Sequence, residues 1–324
     1  MFGVPLEVLA LLPLSLAAGV DLYLTLLFIG AAPTTGLWAS PLPGALGDLD
    51  SPEVLIMVGT FYILEFAAER FPPAALAWNA FHAIIRPVSG ALLALLLLDG
   101  QPLPLLIGGS LLGGALASLA HGFRAGGEVV RWLGNVRTPS VLLVSLAEDV
   151  LVVGMVALTL DAPAWAFFVA LLAIVAVGRT APSFVRAFGF AIRLAIGRVF
   201  QTLRQRKWPG PDELPEWVRA SLEDDDVFAP GGALRGSPAG AYRLQGAPHF
   251  STGWIVVRGG TPVFVFRRKG GAALIDLGAL AATGIREGDF FRRVDLLGPT
   301  AGTCVFFGLN GPSAESLKAE FLFA

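Results

Sequence analysis

Cysteine is all but missing. Cys304 is the only one in 324 residues, which excludes an intrachain disulfide framework and a CxxC-type metal site. Charge is scarce as well: Asp, Glu, Lys and Arg make up 15% of the chain, against about 25% in a typical soluble domain. That is too little to cover a water-facing surface along the whole length. Residues 1–69 contain no Lys or Arg at all. No basic stripe with interleaved aromatics occurs, so nothing points to nucleic acid as a partner, and the net charge of −2 indicates no other. The first apolar run has no basic n-region and no clear cleavage site, and it reads as a spanning helix rather than a signal peptide.

What the chain has instead is apolar sequence, 55% of its residues with a mean hydropathy of +0.69. A spanning helix needs about 20 predominantly apolar residues. Six runs meet that need, at about 6–31, 53–71, 76–99, 103–123, 139–160 and 163–180. The expected fold class is therefore an α-helical polytopic membrane domain followed by a small, mostly β soluble domain. Its parts are a transmembrane domain over 1–182, a basic amphipathic interfacial helix over 183–207, a linker over 208–236 and a cytoplasmic β-rich domain over 237–324.

Charge sets the expected orientation. Segments 32–52, 99–104 and 160–164 carry acids but no Lys or Arg, whereas the opposite loops hold Arg70, then Arg124, Arg131 and Arg137, then a run from Arg179 to Lys207. The positive-inside rule puts both termini in the cytoplasm of a bacterial inner membrane. Within 183–207, Arg186, Arg193 and Arg204 recur at helical spacing among apolar residues, a pattern suited to anionic headgroups on the inner leaflet. Arg86-Pro87 lies mid-run in the third span, where proline removes a helix hydrogen bond and disfavours helix before it, so a break is expected there.

Charges within spans are costly, roughly 2.5–3.5 kcal/mol each, and normally face a bundle interior or cavity. The candidate solute- or ion-binding residues are Glu65, Arg86, Glu148, Asp149, Asp21, Arg124, His82 and His121. Ser145, Glu148 and Asp149 stand at i, i+3 and i+4, so the serine shares a helix face with both acids. Buried ion pairing alone would also account for these charges. His82 and His121 lack the HxxxH or ExxH spacing of a metal site, no nucleophile–base pair stands out, and neither an enzyme nor a cofactor is expected. SLAAGVD (15–21) and SLAHGFR (118–124) share Ser-Leu-Ala-x-Gly, which pairs Asp21 with Arg124 and, further on, Glu65 with Glu148. Read as a repeat, they give two inverted three-helix units of the kind transporters build around a midplane site; read as chance, they are four common membrane letters. The small residues of GGSLLGGALASLAHG (108–122) suit close helix packing.

The segments SLAAGVDLYLTLL, ILEFAAERFP, WNAFHAIIRPVSGALLA and SLAEDVLVVG, occurring in that order over about residues 10–160, resemble the signature segments of an uncharacterised bacterial membrane family, domain of unknown function 4126. The second matches at Glu65, Ala68, Glu69, Arg70 and Pro72, and the third at Trp78, His82, Ile85, Arg86 and Pro87. Asp21 stands where the family more often has Asn, and Asn79 where it has an acid. The resemblance implies a shared polar set of Glu65, Arg86, Glu148 and Asp149, but no activity.

Beyond Trp208 the pattern turns to alternation. A short helix is expected over about 215–222, and GWIVVRGGTPVFVFRR reads as a hairpin about Arg-Gly-Gly. ALIDL, DFFRRVDLL and GTCVFFGL follow as strands, and Ser313 caps a closing helix. Strands then a terminal helix resemble a pleckstrin-homology-like barrel. The function expected from the whole is transport of a small solute or ion between two helical repeats, with carboxylates coupling to a proton or cation. The alternative is a membrane-anchored scaffold or lipid-sensing regulator whose buried ion pairs are structural. The lipid bilayer is the expected partner, and the oligomeric state stays open.

Overall fold

The structure is a computed structural model that describes residues 5–36, 42, 44–133, 138–200, 208–223, 234–288, 291–298, 302–309 and 311–321. The chain divides into two compact units, Met1–Phe188 and Gly189–Ala324, with the division falling inside a helix.

The first unit is helical: α1 Leu6–Val20, α2 Leu22–Thr34, α3 Pro52–Ala68, α4 Pro72–Leu97, α5 Leu103–Leu133, α6 Thr138–Asp161 and α7 Pro163–Phe200. Four of these contain stretches long and apolar enough to cross a membrane, Pro72–Leu97, Leu103–Trp132, Leu142–Asp161 and Pro163–Arg193. Their outward faces carry residues such as Ile84, Leu92, Leu111, Leu143, Leu151 and Leu172, all more than half exposed or close to it. Apolar surface of that extent suits lipid rather than water, and the unit is a membrane-associated helical bundle.

Four long helices replace the six spans expected from the sequence, for two local reasons. The run 6–31 is not one helix. Its continuity ends at Asp21, whose backbone is extended (φ −140°, ψ 103°) and whose carboxylate accepts from Leu24 N at 2.8 Å as the N-cap of α2. The run 53–71 forms only the 17 residues of α3. Ser51 and Pro52 start it, and Pro72 and Pro73 force extended backbone at Phe71, which begins the next helix.

The break expected at Arg86-Pro87 does not occur, and α4 runs through both residues. Helix α5 supports it there. A Cβ on Gly114 would sit 2.8 Å from the Pro87 carbonyl, and Gly90 and Gly113 approach so closely that a Cβ on either would lie 2.7 Å from the other's carbonyl. Packing at that distance holds a proline-containing helix straight, as neighbouring helices do in membranes. A further correction concerns 163–180 and 183–207. One uninterrupted helix, α7, covers the span and its basic continuation to Phe200, with Pro182 inside it.

The second unit is built on a seven-stranded antiparallel sheet: β1 Arg235–Tyr242, β2 Ser251–Arg258, β3 Thr261–Arg268, β4 Gly271–Asp276, β5 Ala282–Glu287, β6 Phe291–Leu296 and β7 Cys304–Gly308, in the order β4-β3-β2-β1-β7-β6-β5. The expected hairpin is β2–β3, its turn made by Gly259 and Gly260 at φ 60° and 83°, the left-handed pair a two-residue turn requires. One face of the sheet packs Ile255, Phe264, Val305 and Phe307 under the closing helix α9 Ala314–Glu320, through Leu317 and Phe321. Against the other face, Val256, Val263 and Val265 pack on Val218 and Leu222 of α8 Glu216–Glu223.

Two strands were not expected, β1 and β5. The first, RGSPAGAY, begins inside the segment expected to be linker, yet it is the central strand. Its small residues are what the position needs. A Cβ on Gly240 would fall 1.9 Å from the ring of Phe190, which also stacks edge-on with Phe306 at 5.5 Å.

Candidate functional site

The interruption at Asp21 frees backbone that a continuous helix would satisfy. In an unbroken helix the carbonyls of Gly19 and Val20 would accept from Tyr23 and Leu24. Leu24 N instead takes the Asp21 side chain, and Arg86 of α4 donates through Nη1 to both stranded carbonyls. A cation at the negative end of α1 and a carboxylate at the positive end of α2 are each where the helix dipoles favour them. Arg86 is fully buried and gives its Nη2 to Glu65 of α3, itself only 2% exposed.

Glu65 is shared. Its Oε1 also meets Arg124 Nη1 of α5 at 3.0 Å. Arg124 in turn pairs through Nη2 with Glu69 and through Nε with Glu148 of α6 at 2.9 Å, and Arg131 Nη1 stands 3.8 Å from Glu148. Ser145 donates to Glu69 Oε2 at 3.0 Å. Five helices thus contribute to one polar centre, and every strong charge within it has a partner of opposite sign. Such pairing offsets the cost of holding charge away from water.

Adjacent positions on α6 serve different neighbours. Glu148 turns to α5, while Asp149 accepts from Tyr62 of α3 at 2.9 Å, the divergence of about 100° between successive helical residues. A second group of polar residues lies between α4 and α5. Asn79 Nδ2 donates to Glu128 Oε2 at 2.6 Å, and the Asn79 carbonyl accepts from His121 Nε2 at 2.9 Å.

Of the residues expected at the site, Glu65, Arg86, Arg124 and Glu148 come together, and Asp149 joins them one bond away through α3. Asp21 borders Arg86 but serves as a helix cap; the ion pairs of Arg124 among the described residues are with glutamates, not with Asp21. His82 bonds Tyr23 Oη and the Trp78 carbonyl, each at 2.9 Å, and stacks on the Trp78 ring. The two histidines therefore belong to separate hydrogen-bonded groups, and no set of three His, Cys, Asp or Glu side chains is arranged to hold a metal among the described residues. Tyr62, Tyr23 and the Gly19–Val20 carbonyls were missed, and Glu128, conspicuous as a charge beyond the end of the fourth run, was not placed at the site. The signal for the carbonyls was present, since an Asp inside a Leu-rich run is a helix-starting residue.

Of the residues expected to face headgroups, Arg186 is exposed and donates to Ser183 Oγ at 3.2 Å. Arg193, also exposed, donates to Thr252 Oγ1 of β2 at 3.0 Å. Arg204 lies outside the described residues.

No curated protein matches the chain. Residues 8–182 match the family described as Domain of unknown function (DUF4126). The matched region, more than half of the chain, contains all but the first two residues of α1, α2 to α6, most of the membrane part of α7 and every residue of the polar centre. By that match this chain belongs to the DUF4126 family.

Proposed function

We propose that the helical unit moves a small solute or ion across a bacterial inner membrane, with its buried carboxylates coupling to a proton or cation. The observation that carries this reading is the interrupted helix α1–α2, whose ends meet the Arg86–Glu65–Arg124 network. Non-helical backbone at membrane depth is tolerated only in a protein interior or along a cavity, and discontinuous helices are a recurrent way of building transport sites. In this reading α1 and α2 together make one interrupted crossing and α3 a second, which with the four long helices gives six crossings and cytoplasmic termini. The matched segments 15–21 and 118–124 then relate two inverted halves; in support, Gly19 packs directly on Ala117 and Ala120 of α5.

The charge inventory supports coupling. Asp21, Glu65, Glu69, Glu128, Glu148 and Asp149 outnumber Arg86, Arg124 and Arg131, and Glu128 and Asp149 accept hydrogen bonds from a neutral amide and a neutral hydroxyl. A carboxylate whose own bonds come from neutral donors leaves its charge to be met by a cation. A second reading has its own observation. Glu65, Glu69 and Glu148 are all closed on arginine, as in a membrane-anchored scaffold whose C-terminal, pleckstrin-homology-like unit senses lipid or recruits a partner.

Flux into proteoliposomes separates the two. Transport predicts uptake above empty liposomes that collapses in Asp149→Asn and Glu65→Gln, with both variants still folded. Uptake that survives both changes removes the carboxylates from the mechanism. No uptake for any of a broad panel of ions and small solutes sinks transport and leaves the scaffold.

A further inference from the structure

We propose that Asn79, His121 and Glu128 form a binding site for a small hydrogen-bond-donating cation, an ammonium or primary alkylammonium ion. Asn79, His121 and Glu128 are 3%, 2% and 5% exposed, and the Arg86–Arg124 network uses none of them. Glu128 lies two turns beyond His121 on the same face of α5, and both reach Asn79 of α4.

Hydrogen-bond accounting fixes what the group lacks. The Asn79 carbonyl only accepts, so the His121 nitrogen facing it, Nε2, carries the proton, and Nδ1 presents a bare lone pair. Glu128 accepts from Asn79 Nδ2, which leaves Asn79 Oδ1 as an acceptor. Both His121 Nδ1 and Asn79 Oδ1 are buried without a hydrogen-bond partner among the described residues. The third member, Glu128, is in none of the ion pairs among the described residues. Arg124 and Arg131, about one turn away on either side along α5, are paired with Glu65, Glu69 and Glu148. The cluster therefore holds a carboxylate charge and two unsatisfied acceptors, with donors in deficit.

The complement of such a group is a positive ion rich in donors. An alkali or alkaline-earth ion wants a shell of six or so oxygens and has little use for an imidazole nitrogen. A transition metal would use the imidazole, but the described residues hold no third metal-binding side chain here. An N–H donor cation brings the donors and the charge that these three groups lack, and charge-assisted bonds to a buried carboxylate are the strong kind. Binding at this cluster does not depend on the transport reading: a purified protein that moves nothing can still bind the ion.

The test is thermal stabilisation of the full-length protein in detergent, titrated with ammonium and methylammonium chloride against sodium and tetramethylammonium chloride at equal ionic strength. The expected result is saturable stabilisation by the two donor cations alone, weakened about tenfold or more in Glu128→Gln. His121→Phe, which keeps the volume and loses the lone pair, weakens it too and serves if Glu128→Gln does not fold. Equal shifts from all four salts, as a merely hydrated cluster would give, overturn the proposal. So does an ammonium response that survives Glu128→Gln.

Discussion

Each unit of this protein buries an arginine that ties down loose backbone, and the two do it under different terms. In the sheet unit, Arg292 is 2% exposed and donates from Nη1 to the carbonyls of Leu309 and Pro312 at 2.9 and 3.1 Å, holding the segment between β7 and α9. Its acid, Glu287, meets Nε at 2.5 Å and is more than half exposed, so water stabilises that carboxylate whatever the arginine does. In the membrane unit, Arg86 ties the Gly19 and Val20 carbonyls, but its acid is itself buried and shared with a second arginine. Arg86 Nε and Glu65 Oε2 are buried without a partner among the described residues. The first arrangement is a clamp. The second is a network in which moving one charge leaves others exposed to a low dielectric, a property useful to a site that must respond to an ion.

Arg86→Met sets the scale of the contrast. It leaves Glu65 paired with Arg124 alone and strands two carbonyls, and a loss of about 3–5 kcal/mol is expected, read as a lower melting temperature in detergent. Adding Glu65→Gln to Arg86→Met recovers part of that loss, because the stranded charge goes with it. A double variant no better than Arg86→Met alone would mean that the carbonyls, not the carboxylate, set the cost, and the two arginines would then be alike.

Arg292→Met is the matching change in the sheet, with an expected loss of about 1–3 kcal/mol. Here the protein carries its own reporter. Cys304 is the only cysteine, fully buried at the start of β7, and its labelling by a thiol reagent measures opening of the sheet. Labelling should quicken in Arg292→Met and stay at the wild-type rate in Arg86→Met. Equal acceleration by both would show the units opening together and dissolve the comparison.

The smallest effect is the pH dependence of the sheet unit. Burial pushes the Cys304 thiol up to about 12 from an ordinary 9.0. Below 9.0 the thiol is neutral folded and unfolded, and its contribution to stability is complete. As pH rises from there towards 12, only the unfolded thiol ionises, so stability falls. Cys304→Ala should flatten that part of the alkaline stability curve. An unchanged curve would remove the thiol from the account.

Much of the polar centre was legible because charge in an apolar run is conspicuous. Glu65, Arg86, Arg124 and Glu148 stand out by the cost of burying them, without knowledge of their partners. Asn79 and Glu128 did not, since an asparagine near a span end and an acid beyond it look like interface residues until α4 and α5 are packed. Among the strands, β2, β3, β6 and β7 declared themselves by β-branched and aromatic alternation. Strand β1 did not, because its Gly, Ala and Pro are chosen for what lies against them. Pro238 is tolerated there where β1 pairs with β2 alone, before the ladder to β7 begins at Ala239, although proline argues against a central strand.

Sequence by itself determined the division into an apolar helical part and an alternating C-terminal part, the family, and the identity of most charges that must find partners. Those follow from one-dimensional quantities: the length of apolar runs, period and charge. Tertiary structure decided that the break Asp21 invites in the first run is kept and that the third run holds at Pro87. Both outcomes rest on hydrogen bonds and close contacts supplied by other helices. Arg86 makes the break tolerable by donating to the stranded carbonyls, and the glycines of α5 keep α4 whole by packing against it.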